Sequence, residues 1–366
     1  MPSYTLTESS VVFNNNFNKK LDEYLNILLQ KQELVFGTKF NKAINDDIPE
    51  NVKKIIFGFD FNRIIDLLHD GVEHIELEDH FNKDIKKFPR HLKFLKVVRN
   101  MNRKICEFPE GLIELHFSEL RNNPIVYPEN LNTLYLRFFR LNSYNFYLPK
   151  NLMKLILTIN ENFELKYLPK SLKYLSITKD YESDETQKDV YEGFNNSIEN
   201  LPENLEFLSV KADFNLQIPI LPKNLKTLVL GHHFNQELNN LPDNLQSITL
   251  LNSFNQKLTN LPVNLESLSL GRSFNLQLNG LPQNLKCLKI LNSNYSHSIE
   301  MIPPSIKELH IQSSPITFLP PNLEKLVYNS ICPVFNENTK EIARNLKEFY
   351  VFSRVRDIKE YIYNLF

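Results

Sequence analysis

Apolar residues in this chain recur at intervals of twenty. The run LPKNLKTLVLGHHFNQELNN (Leu221 to Asn240) is followed by LPDNLQSITLLNSFNQKLTN and then LPVNLESLSLGRSFNLQLNG, each twenty residues long. Within the first and third runs, Leu-x-x-Leu-x-Leu (Leu225, Leu228, Leu230; Leu265, Leu268, Leu270) ends in an alternation of apolar and polar positions, as does the second with Ile248 in the middle place. Such alternation predicts a short strand with one buried face. Phe-Asn follows four residues later, at Phe61, Phe81, Phe194, Phe214, Phe234, Phe254 and Phe274, and then an aliphatic such as Leu238 or Leu258. Units start at Ile48, Leu68, Phe88, Phe108, Tyr127, Leu148, Leu168, Leu201, Leu221, Leu241, Leu261, Leu281, Ile302, Leu319 and Ile342. Most steps are twenty; the large exceptions are 33 before Leu201, 17 before Leu319 and 23 before Ile342. Leu34-Val35-Phe36-Gly37 and Phe40-Asn41 match the same columns, which places a degenerate first unit near Ile27.

Thirteen of the 20 prolines stand directly after a unit start. Asn follows two residues later in ten units, as at Asn51, Asn130, Asn151, Asn204 and Asn224, and Gly in two more, Gly71 and Gly111. Proline suits the second place of a type I turn, whose fourth place favours Gly, and Asn and Gly accept positive φ most readily. Pro-x-Asn/Gly therefore predicts a chain reversal once per unit, outside the strand. Four or five inward apolar groups in twenty residues cannot make a core alone. Stacked, the units set Leu over Leu and Phe over Phe, each covering its neighbour. Strands ~4.8 Å apart over some sixteen units predict a rod of roughly 75 Å. Stacked Asn amides would satisfy each other and the corner backbone.

Both ends read as closed. Phe17, Leu21, Tyr24, Leu25 and Leu28 have the spacing of an amphipathic helix, as do Ile358, Tyr361, Ile362 and Leu365 after a possible N-cap at Asp357. Solenoids need such caps over their open ends. The expected organisation is an N-terminal segment with a capping helix (1–26), a solenoid (27–352) and a C-terminal capping helix (353–366), with no room for an appended catalytic domain. Thirteen extra residues before Leu201 centre on the acidic stretch 179–192 (KDYESDETQKDVYE), expected to be a surface loop.

Composition fits this picture. The chain has 366 residues, 56 Leu, 46 Asn, only 8 Gly and no Trp, with 42 Lys+Arg against 43 Asp+Glu. A formal charge of −1 lacks the basic field that nucleic-acid binding usually needs, so no nucleic-acid partner is expected. No run approaches the ~20 apolar residues of a membrane span, and the first ten residues show no secretory pattern. The three cysteines, Cys106, Cys287 and Cys332, are odd in number and far apart, which suits a reducing compartment and an intracellular location in cytoplasm or nucleus.

The recurring Phe-Asn, the LPxxL start and the twenty-residue period resemble FNIP repeats, a relative of leucine-rich repeats found in social amoebae and in giant viruses that infect amoebae. The resemblance covers roughly residues 27 to 352 and is strongest from Phe194 to Leu291. It departs at Met101-Asn102, Leu141-Asn142 and Tyr295-Ser296, where Phe-Asn is replaced. It implies a repeat solenoid, a leucine-rich-repeat-like stack of about sixteen twenty-residue rungs with a parallel β-sheet, capped by short helices at both ends. If the protein is viral, the host cell cytoplasm is the implied location. Some relatives carry an F-box and recruit substrates to ubiquitin ligases; the segment before the repeats here shows no F-box-like pattern. An adaptor without its own F-box is the first alternative reading.

Candidate chemistry is sparse. His69, His74, His80 and His91 cluster near Glu76 and Asp79, and His232-His233 forms a pair, but the register splits strand from turn and supports no metal ligand set. No phosphate loop, nucleophile elbow or HExxH motif is present, and Cys287 has no histidine partner in sequence. Neither a cofactor nor a catalytic residue is expected. A right-handed β-helix carbohydrate enzyme, the second alternative, would stack carboxylates in one outward column. The columns six and eight residues after the unit start do not. They run instead through Phe94, Tyr135, Ile156, Tyr174 and Phe207, large apolar groups on a face expected to be wet. Interfaces favour aromatics at their centres, so these five are the candidate partner-binding residues of a non-enzymatic protein-recognition scaffold. Five residues after the unit start, charges alternate along Lys53, Glu73 and Lys93, Glu206 and Lys226, and Glu266 and Lys286, which reads as register control.

Overall fold

The computed structural model describes residues 3–44, 48–98, 104–118, 126–138, 147–159, 164–179, 194–311, 316–328 and 336–351. The chain forms two compact units, Met1–Glu161 with Tyr167–Leu172, and Asn162–Lys166 with Lys173–Phe366. In the first, β1 (Tyr4–Leu6) pairs antiparallel with β2 (Ser10–Phe13). From β2 each strand runs parallel to the next: β3 (Glu33–Val35), β4 (Lys54–Ile56), β5 (His74–Leu77), β6 (Phe94–Val97), β7 (Glu114–Ser118), β8 (Thr133–Phe138) and β9 (Lys154–Ile159). The second unit repeats the arrangement with β10 (Tyr174–Lys179), β11 (Phe207–Val210), β12 (Thr227–Leu230), β13 (Ser247–Leu250), β14 (Ser267–Leu270), β15 (Cys287–Ile290), β16 (Glu308–Ile311), β17 (Lys325–Tyr328) and β18 (Glu348–Val351). This is the parallel-sheet solenoid expected from the repeat.

Within each strand the first and third residues are mostly half-exposed and the second and fourth buried, as in Thr227-Leu228-Val229-Leu230. The inward side is dry: Leu225, Leu228, Leu230 and Phe234 are all 0% exposed. Phe194, Phe214, Phe234, Phe254 and Phe274 stack in one column, with Tyr295 in the last place and centroids 6.1–6.3 Å apart. Tyr295 keeps the column where Phe-Asn is lost, its hydroxyl donating to the Leu276 carbonyl at 3.0 Å. The other two departures, at 101–102 and 141–142, lie outside the described residues.

The corner differs in detail from the sequence expectation. Proline occupies the first place of the turn, not the second: the Pro222 carbonyl accepts from Leu225 N–H at 3.1 Å, and Pro49 from Val52 at 3.0 Å. The corner Asn therefore has no need of positive φ. It reaches back one rung, where Asn224, Asn244 and Asn264 donate Nδ2 to the carbonyls of Glu203, Lys223 and Asp243 at 2.9–3.0 Å. Positive φ falls instead on the residue directly before the unit start, at Tyr167, Asn200, Asn240, Asn260 and Gly280. In the Phe-Asn column each side-chain oxygen accepts the next rung's backbone N–H, as from Asn235 to Asn215 at 2.8 Å and from Asn255 to Asn235 at 2.9 Å. The amides thus mainly satisfy backbone, which cannot move away, and only secondarily each other.

The ends also differ. The helix expected over Phe17–Leu29 is reduced to a 3-10 turn (Asp22–Tyr24) and one α-turn, α1 (Leu25–Leu28). The reason is that residues 10–17 form a further rung, ahead of the first unit read from the sequence. Val11 and Phe13 are buried, Phe13 stacks on Phe36 at 5.3 Å and Phe17 on Phe40 at 5.9 Å. Phe17 thus belongs to the ring column rather than to a helix face. Ile342, expected to start a corner, lies inside α2 (Glu337–Arg344). No proline follows it, and the Asn336 side chain caps the helix by accepting from Thr339 N–H at 2.9 Å. About fourteen turns, those with strands β4 to β17, hold the full repeat, slightly fewer than the sixteen expected; the units at Ile27 and Ile342 enter β3 and β18 through helical turns. The capping helix expected within 353–366 and all of the insertion 179–192 except Lys179, which ends β10, lie outside the described residues.

Candidate recognition face

The outward columns pair in the order expected. Lys54, His74, Phe94, Glu114, Thr133 and Lys154 lie side by side in the first unit, and Tyr174, Phe207, Thr227, Ser247, Ser267, Cys287, Glu308, Lys325 and Glu348 in the second. Ring spacing shows which way each sheet bends. On the outward face the His74 and Phe94 centroids are 3.9 Å apart, and those of Tyr174 and Phe207 4.1 Å, both pairs with planes at 1°. Across the core, the buried Phe rings are about 6.2 Å apart. Rungs ~4.8 Å apart at the strands therefore crowd on the outward face and fan open behind it. In each unit the strand face is concave.

On the first unit this face carries a run of flat rings. His74 stacks on Phe94; His116 meets Phe94 at 5.0 Å and Tyr135 at 3.8 Å; Lys154 donates to the Tyr135 hydroxyl at 2.8 Å. Ile156 follows in register beside Tyr135. Carboxylates line the run: Glu76 bonds His74 at 2.9 Å and Lys96 at 3.4 Å, and Glu114 bonds His116 at 2.6 Å. The His74 hydrogen bond, opposed by partial burial and helped by the Lys96 charge, holds the Glu76 carboxyl below the usual range. On the second unit the Tyr174–Phe207 pair stands beside a small, mostly hydroxylic floor, and a charged cluster closes the far side. There Glu308 accepts from His310 at 2.5 Å, with Lys289 and Lys325 at 3.5 and 3.7 Å. Burial alone would raise the Glu308 carboxyl, but the His310 bond and both lysines together hold it low. Burial pushes the His310 imidazole down despite its carboxylate partner.

Phe94, Tyr135, Ile156, Tyr174 and Phe207 are all half-buried, the four rings among them held by neighbouring rings. Phe94 and Tyr135 are joined through His116, and Tyr174 with Phe207 forms a separate pair on the second unit. The sequence reading missed His74 and His116 as members of the ring run. Both stood in the columns already read, but His74 was weighed only as a metal ligand and His116 was passed over as a polar outward residue.

The other candidates disperse. His80 pairs with Asp60 at 3.2 Å and His233 with Asp213 at 3.2 Å, while Asp213 also holds Lys179 at 2.6 Å. Among the described residues no three His, Cys, Asp or Glu converge on a metal-sized site. Burial raises the Cys287 thiol, against thiolate chemistry. The charge ladder forms at Lys93–Glu73 (2.6 Å), Lys226–Glu206 (2.7 Å) and Lys286–Glu266 (2.8 Å), while Lys53 turns to the Gly71 carbonyl. Hydrogen bonds from Lys93 and Lys226 lower Glu73 and Glu206. Among the described residues no helix is long and apolar enough to cross a membrane.

The FNIP Repeat family matches residues 214–253 and 254–290, the stretch where Phe-Asn recurs without interruption. No curated protein matches the chain significantly. Among solved structures, CroV588, described as a novel circular LRR protein, superposes with a TM-score of 0.60 at 23% identity, covering 96% of this chain and 70% of that one. TLR13 in its complex with ssRNA13 gives 0.55 at 18% identity, covering 93% of this chain and 56% of that one. YopM from Yersinia enterocolitica WA-314 gives 0.47 at 21% identity, covering 88% and 75%. At these identities the likeness is one of fold. With its repeat register and parallel sheets, the chain is a leucine-rich-repeat-like solenoid that carries FNIP repeats over residues 214–290.

Proposed function

We propose that the chain is a non-enzymatic scaffold that recognises polypeptide partners on the strand face of each unit, through Phe94, Tyr135 and Ile156 on the first and, separately, through Tyr174 and Phe207 on the second. The observation that supports this most is the state of the rings. They are packed against one another at 3.8–4.1 Å yet remain half-exposed, so apolar area is offered with little side-chain freedom left to lose. Aromatic anchors of this kind dominate protein interfaces. The near-zero net charge favours protein over nucleic acid as the partner class. Proximity labelling in the native cell tests the reading by comparing wild type with Phe94→Ser/Tyr135→Ser and Tyr174→Ser/Phe207→Ser. Labelled proteins lost in at least one of the double variants, with the fold intact by circular dichroism, are the expected outcome. An unchanged set in both would remove the concave face as the recognition surface.

A further inference from the structure

The asparagine columns of the second unit are tied into the fold. Asn224, Asn244 and Asn264 donate their amides to carbonyls one rung back, and Asn215, Asn235 and Asn255 each accept a backbone N–H from the next rung. Asn279 stands outside both columns. It is exposed, in a turn two residues before the unit start Leu281. Its amide has one partner among the described residues, the exposed Gln277 side chain, to which Nδ2 donates at 3.1 Å. Of the 46 asparagines it is also the one followed by glycine. Gly280 is exposed and left-handed at φ 76, and a Cβ placed on it would meet just the Leu258 carbonyl oxygen, at 3.6 Å. Its N–H makes no hydrogen bond among the described residues. An uncommitted nitrogen without a side chain to shield it thus lies one residue from an amide that is free to turn towards it.

We propose that Asn279 is a site of spontaneous covalent modification, converted through a cyclic imide to aspartate and isoaspartate. The Gly280 nitrogen gives its proton to solvent and bonds to Asn279 Cγ; the Cγ–Nδ2 bond breaks, and the amide group takes a proton and leaves as ammonia. Water then opens the imide. Cleavage of the new Cγ–N bond leaves aspartate on an unchanged main chain. Cleavage of the original peptide C–N bond leaves isoaspartate, whose main chain runs through Cβ and Cγ. In sum, one water is consumed, one ammonia is released and one carboxyl group is gained. Asn239 occupies the same place two rungs earlier and makes the same local bond, Nδ2 to Glu237 Oε2 at 3.4 Å, but Asn240 follows it at φ 58. The Asn240 Cβ crowds the imide, so Asn239 serves as an internal control. Isoaspartate adds a main-chain carbon at the corner leading into β15, where Leu285 and Leu288 are 0% exposed, and that rung must shift to absorb it.

The test ages the full chain at mildly alkaline pH in heavy-oxygen water and maps it by mass spectrometry, beside Gly280→Asn, Asn279→Asp and the free peptide Leu276–Pro282. Expected is heavy oxygen at position 279 before any other asparagine, with isoaspartate among the products by methylation with an isoaspartate-specific methyltransferase. The rate rises with pH, because the attacking nitrogen must lose its proton. Gly280→Asn copies the corners at Asn240 and Asn260 and slows the conversion at least about tenfold. Asn239 gives the same comparison without a substitution. Hydrogen exchange loses protection at β15 in the isoaspartate fraction and keeps it in Asn279→Asp. The proposal is overturned by an Asn279 that stays intact while the free peptide converts, by earlier conversion at another asparagine, or by equal rates in wild type and Gly280→Asn. Full β15 protection in the isoaspartate fraction overturns the structural consequence.

Discussion

The ring column of the second unit makes a strong quantitative demand. Phe254 is 0% exposed and lies between Phe234 and Phe274, each 6.2 Å away, with planes within 4° and 6°. Phe254→Ala forfeits about 1.5–3 kcal/mol of transfer free energy. A cavity of roughly 100 Å³, if the neighbours do not collapse, adds about 2 kcal/mol at ~24 cal/mol per Å³. The total is about 4 kcal/mol, within the ~3–5 kcal/mol range of buried Phe→Ala changes. Because each rung touches chiefly its neighbours, the loss should be local before it is global. Urea denaturation followed by hydrogen exchange with mass spectrometry reads both parts. Protection should fall most at β12 to β14 and least near β17. A loss under about 1.5 kcal/mol, or protection lowered evenly across the unit, would refute both the estimate and the stacked-rung account.

Further outcomes follow from the backbone ladders and the charged cluster. Asn235→Ala removes the acceptor for Asn255 N–H and Gln256 Nε2, and should cost about 1 kcal/mol by denaturant melts, since water reaches part of the site. Gly58→Ala should destabilise the first unit more than an ordinary Gly→Ala change stabilises, because a Cβ there would stand 1.9 Å from the Gly37 carbonyl oxygen; a higher Tm would contradict that contact. His310 and Glu308 both titrate lower in the fold than when unfolded, so each contributes stability that is present above its unfolded pKa and lost on acidification. The second unit should therefore hold its stability down to pH about 6.5, weaken as pH falls through the His310 value, and weaken again below about 4.3. His310→Gln should abolish the first loss in pH-dependent melts, and a wild type that gains stability on acidification would reverse the assignment.

The candidate face was legible in part for a physical reason. Alternation with period two states which side chains leave the strand, so Phe94, Tyr135, Ile156, Tyr174 and Phe207 could be placed on one side from sequence alone. Contacts between columns could not. Whether His116 meets Tyr135 or extends into solvent depends on the spacing of adjacent rungs on the concave side. That spacing follows from the accumulated volumes of all core rings, not from any one unit. The left-handed place was missed because the residue before each unit start varies too much to form a readable column: Tyr147, Tyr167, Asn200, Ile220 and Gly280 share a place, not a chemistry.

By itself the sequence determined the twenty-residue rung, the register of strand on strand, the Leu and Phe columns and the recurrence of proline at one corner. Each is a local pattern repeated, and repetition makes the register unambiguous. Tertiary structure decided where the turn closes, with proline's carbonyl as acceptor and the left-handed residue two places earlier. It also recruited Ser10–Phe13 and Phe17 as a rung, replaced the last corner by a helix, and made the strand face concave. The extra rung and the bend of the sheets rest on contacts one full rung away, which no window of twenty residues contains, whereas the turn and the last helix are closed by hydrogen bonds three residues apart, as from Leu225 to Pro222 and from Thr339 to Asn336.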